Sequence, residues 1–77
     1  MSKPITIRQA RSEDRDAIVR LAALDEAPVP AGPSLLAFEG QELAAARPLA
    51  GGAAVADPFR RTAELVALLD LWAGATR

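Results

Sequence analysis

The sequence predicts an α/β (α+β) domain: a small mixed, mostly antiparallel sheet with two main helices, in the order β-α-β-β-β-α. Three observations lead there. Two stretches carry apolar residues at helical spacings of three and four. Four short segments alternate or run apolar over four to six residues, as strands do. Proline and glycine separate these segments, so each must end where the next begins. The chain has 77 residues, enough for one small domain over 1–77.

Ile5 to Arg8 opens the chain as a strand, with Ile5 and Ile7 on one face and Thr6 and Arg8 on the other. Ser12 then reads as a helix N-cap, and Glu13, Asp14 and Asp16 suit the positive end of the helix dipole. Ala17, Ile18, Leu21, Ala22 and Leu24 draw one stripe, which predicts a helix over 13–25. Pro28, Pro30 and Pro33 make 27–33 a loop.

Ser34 to Glu39 is the second strand. Leu36 and Phe38 share one face, Leu35 and Ala37 the other, which allows a sheet covered on both sides. Gly40 turns the chain into a third strand over 42–47, although Ala44-Ala45-Ala46 would be equally content in a helix. Gly51-Gly52 marks another turn before a short fourth strand over 53–56. Thr62 is the expected N-cap of the last helix. Leu65, Leu68, Leu69 and Trp72 give its apolar stripe, with Val66 beside it and Gly74 as its stop.

Composition excludes several functions. There is no Cys and no His, so disulfides, thiolate chemistry, His-based acid–base catalysis and Cys/His zinc sites are absent. The net charge of −1 gives no broad pull toward nucleic acid or anionic membrane. No signal peptide or membrane span is visible, and a cytoplasmic location is expected. Of the 77 residues 18 are Ala and only Phe38, Phe59 and Trp72 are aromatic, so the core is thin and a second copy or partner protein would help it.

Arg60 and Arg61 stand directly before the last helix, where free backbone N–H groups favour an anion. Two readings fit: a solvated turn whose arginines pair with Asp57 or Glu64, or a phosphate-type site. Glu39 and Glu42 flank a turn, as solvated charges do.

The order of these segments resembles the opening of GNAT-type N-acetyltransferases. Ile5-Thr6-Ile7-Arg8-Gln9-Ala10, followed by Asp14, Ala17-Ile18 and Leu21, looks like that family's first strand and helix. Leu35 to Ala45 resembles its second and third strands, joined by an acidic–Gly turn. Val55-Ala56-Asp57-Pro58-Phe59-Arg60 resembles its fourth strand and exit. The resemblance covers nearly all of this chain and about the first half of a family member, and so implies a single truncated domain. It implies acetyl-CoA as coenzyme, held near Arg60, Arg61, Thr62 and Ala63. The family's Gly-rich loop is replaced here by Arg60-Arg61-Thr62-Ala63-Glu64-Leu65, and the sequence has no Tyr. The expectation is therefore a GNAT-like binding or interaction module that is non-catalytic alone, a homo-oligomer or one half of a protein complex. The alternative is an N-acetyltransferase whose site a partner or second copy completes.

Overall fold

The computed structural model describes residues 3–30 and 32–75. Strand β1 (Ile5–Gln9) is followed by a 3₁₀ turn (Ser12–Asp14) and helix α1 (Arg15–Leu24). Strands β2 (Ser34–Glu39), β3 (Glu42–Pro48) and β4 (Val55–Ala56) come next, and helix α2 (Ala63–Ala75) closes the fold. The strands form one sheet in the order β1-β2-β3-β4, and every neighbouring pair is antiparallel. The sheet is wholly antiparallel: turns join β2 to β3 and β3 to β4, and between β1 and β2 the chain passes through α1 and then the proline-rich loop before Ser34.

The two helices cover opposite faces. On one face α1 packs Leu21 and Ala22 against Leu36, Ala46 and Val55, with Ile18, Phe38 and Leu43 at the margin. On the other, α2 packs Leu65, Leu69 and Ala73 against Leu35, Ala37, Ala44 and Ala45, with Ile7 and Val66 beside them. The period-two alternation of β2 divides these sets, so Leu35 and Ala37 belong to α2 and Leu36 to α1. A bulge breaks the pattern in β3. Ala37 faces Ala45 but Phe38 faces Leu43, leaving Ala44 as the extra residue. Two consecutive alanines, Ala44 and Ala45, therefore lie under α2.

Several expectations are corrected. The first helix does not run as one element from residue 13. The chain makes a 3₁₀ turn at Ser12–Asp14, and α1 proper starts at Arg15. Asp14 is buried and does not cap the helix with its side chain. Its carboxylate accepts two hydrogen bonds from Arg8, at 2.7 and 2.9 Å, and one from the Arg11 N–H at 2.7 Å. Leu24 is 47% exposed, so the stripe of α1 ends at Ala22. In α2 the core side is Leu65, Leu69 and Ala73, while Leu68 and Trp72 are 39% and 49% exposed. Helix α2 also runs through Gly74 to Ala75. The fourth strand shrinks to Val55–Ala56, because Gly51 and Gly52, both at positive φ, hold the preceding segment in a turn.

Helix α1 ends in a Schellman motif: the Ala27 N–H reaches the Ala22 carbonyl and the Glu26 N–H the Ala23 carbonyl. Glu26 takes the left-handed position at φ 50, where glycine is usual. This motif aims Asp25 at the sheet edge, where its carboxylate accepts the Ala56 N–H at 3.2 Å.

Candidate functional site

The segment joining β4 to α2 is built by Asp57. Asp at the first and Pro at the second position favour a β-turn, and Asp57-Pro58-Phe59-Arg60 forms one, with the Arg60 N–H on the Asp57 carbonyl at 3.2 Å. The Asp57 carboxylate accepts the Phe59 N–H at 2.8 Å, an Asx-type bond that reinforces the turn. The Asp57 N–H donates to the carbonyl of Ala44 at the bulge. Asp57 is therefore buried and fixed between β3 and the turn.

The turn swings Arg60 back over the β2–β3 hairpin. Its guanidinium donates to Asp57 at 3.2 Å, to Glu39 at 3.1 Å and to Glu42. Glu42 also accepts from Lys3 at 3.1 Å. The hydrogen bond to Glu39 is the main cause holding the Arg60 pKa above its ordinary value, with Glu42 and Asp57 adding to it. Glu42 is held below its ordinary value, first by Lys3 and then by Arg60. One guanidinium thus ties together the hairpin, the turn and the start of α2.

Thr62 occupies the N-cap position through its backbone, since its carbonyl accepts the Val66 N–H at 2.9 Å. Pro58, Arg60, Arg61, Thr62, Ala63 and Glu64 line an open hollow there. The four residues singled out from sequence, Arg60, Arg61, Thr62 and Ala63, are thus brought to one place. They are not equivalent. Arg60 is occupied by three carboxylates, whereas Arg61 is exposed and makes no ion pair among the described residues. The exposed Glu64 carboxylate stands in the same first turn. Of the two readings of the arginines, pairing with Asp57 holds for Arg60, and Glu64 takes no part.

One of the two cations at this hollow is neutralised, Glu64 adds a negative charge, and every residue lining it carries a β-carbon. No buried side-chain nitrogen or oxygen lacks a hydrogen-bond partner among the described residues. Nor does any group of acidic residues among them have the arrangement to hold a metal ion.

A second cleft was not legible from the sequence. Ala17, Arg20, Leu21 and Leu24 form one face of α1 and line it with Leu43, Glu42 and Asp57. The spacing of the helix residues is visible in the sequence, but the hairpin that faces them is not. The Arg8–Asp14 pair was missed as well, because Asp14 satisfies helix-start electrostatics equally well on paper. No family model, curated protein or solved structure matches the chain. No helix among the described residues is long and apolar enough to cross a membrane.

Proposed function

We propose that this chain is a non-catalytic binding or interaction module of GNAT-like design. The observation that carries the reading is the state of Arg60. It is the cation that stands nearest the exit of β4, and it is spent on Glu39, Glu42 and Asp57. A charge-assisted contact to phosphate would have to displace carboxylates already bound to it. The partner is a second copy or another protein, and the setting is the cytoplasm.

The second reading, an N-acetyltransferase completed by a partner chain, rests on the hollow at the start of α2. Arg61 and the first-turn N–H groups there carry positive charge. Calorimetric titration with acetyl-CoA separates the two. The module reading expects a dissociation constant above about 1 mM, equivalent to about −4 kcal/mol. Residual binding should weaken with salt and vanish in Arg61→Ala. Salt-insensitive micromolar binding would put the acetyltransferase first.

A further inference from the structure

The sheet has two edges, and they differ. At β4 the ladder points the Ala56 N–H away from β3, and the Asp25 carboxylate covers it. That edge is two residues long and capped. At β1 the even-numbered residues face β2, as the bond from the Ala10 N–H to the Ser34 carbonyl shows. The N–H and C=O groups of Ile5, Ile7 and Gln9 therefore point outward. Among the described residues only the Gln9 carbonyl has a partner there, the Arg8 side chain at 3.1 Å. An open edge of five residues invites another strand.

The flank of α2 lies beside this edge. Helix α2 sits over β2 and β3. Asp70 on one flank is held by Arg47 of β3 at 2.6 Å. Leu68 and Trp72 are each two residues from Asp70, about 160° round the helix. They project on the opposite flank, toward β1. Ile5, 44% exposed, and Ile7 carry the same face of β1. Open backbone and an apolar wall of Ile5, Leu68 and Trp72 are thus continuous along one side of the molecule.

We infer that this side binds a second copy of the chain, with the two β1 strands antiparallel about a two-fold axis near Ile7. The surface is self-complementary in the way such an axis requires. Antiparallel pairing sets Ile7 against Ile7 and Ile5 against Gln9. It also brings both Leu68–Trp72 flanks over the four isoleucines. Charge does not oppose it, because the Arg8 side chains on the pairing strands are already neutralised by Asp14. The inference rests on the module reading and supplies its partner.

Sedimentation velocity on the full chain, from about 1 µM to about 1 mM, tests it. The expected result is a reversible monomer–dimer equilibrium with a micromolar dissociation constant. Ile5→Pro removes an outward N–H that the fold does not use, and Trp72→Lys places a charge on the wall. Each should raise the dissociation constant at least tenfold while circular dichroism stays unchanged. If Ile5→Pro does not fold, Trp72→Lys decides alone. Ala53→Lys, beside the capped β4, should leave the dimer intact. A monomer throughout, or a dimer insensitive to Trp72→Lys, would overturn the inference. Either result would leave the acetyl-CoA titration, and so the module reading, standing.

Discussion

Asp14 shows how much one side chain can be asked to do. It lies in the turn between β1 and α1, is buried, and receives both arms of the Arg8 guanidinium and the Arg11 N–H. Arg8 in turn stacks over the Phe38 ring, its central carbon 4.8 Å from the centroid. These bonds lower the Asp14 pKa from its ordinary 3.8 to about 2, with Arg8 the largest cause and the Arg11 N–H the next. A carboxyl with a depressed folded pKa contributes stability that is complete above its unfolded pKa and is lost as pH falls through the folded one. Unfolding by urea at a series of pH values should therefore show stability declining from about pH 4 to about pH 2. Asp14→Asn should lose roughly 1.5–3 kcal/mol at neutral pH, as expected for hydrogen bonds to a charged group. That variant should also lose most of the decline between pH 4 and 2. An unchanged acid slope in Asp14→Asn would show that other carboxylates govern it.

At the scale of elements, strands were more legible than helix faces. The alternation in Ser34–Glu39 announced two apolar faces, and both are covered. Period two admits only two assignments, so a single strand fixes them. Helix α2 is apolar nearly all round, and its sequence offers competing stripes. Leu65, Leu69 and Ala73 won because the Ala44–Ala45 bulge presents two flat methyl-bearing residues to the helix. Nothing local in residues 62–75 encodes that bulge. The consequence is measurable. Leu69 has no exposed surface, whereas Leu68 is 39% exposed. Leu69→Ala should cost about 2–5 kcal/mol, and Leu68→Ala at monomer concentration about 0.5 kcal/mol or less. Equal losses would mean that the helix is rotated from the position described. The candidate site was legible to a similar degree. The run Arg60 to Ala63 could be placed before a helix from sequence. That Arg60 would turn back onto Glu39 and Glu42 depends on a contact between segments some 20 residues apart.

The whole molecule is a sheet between two helices, and at the end carrying the β2–β3 turn a group of charges adds to the apolar packing of Phe38 and Leu43. Arg60 joins Glu39 and Glu42 of the hairpin to Asp57 of the turn, and Lys3 joins the chain start to Glu42. Three carboxylates share two cations there. Replacing Arg60 with Gln keeps a polar side chain but leaves three carboxylates facing one another with only Lys3 to offset them. Their repulsion disfavours having all three charged, and Glu42 loses one of the two cations, Lys3 and Arg60, that hold its pKa below the ordinary value. A depressed carboxylate pKa contributes stability that is present above the unfolded value and is lost as pH falls, so the variant differs most from the parent where the carboxylates are charged. Arg60→Gln should melt below the parent at pH 7, and the gap should narrow as pH falls toward about 4.5, where glutamates begin to protonate. Added salt at pH 7 should narrow it in the same way, since these groups are partly exposed and their repulsion is screened. Paired melting curves at pH 7 and pH 5, with and without salt, measure this directly. A gap independent of both would locate the role of Arg60 in packing of its aliphatic stem rather than in charge.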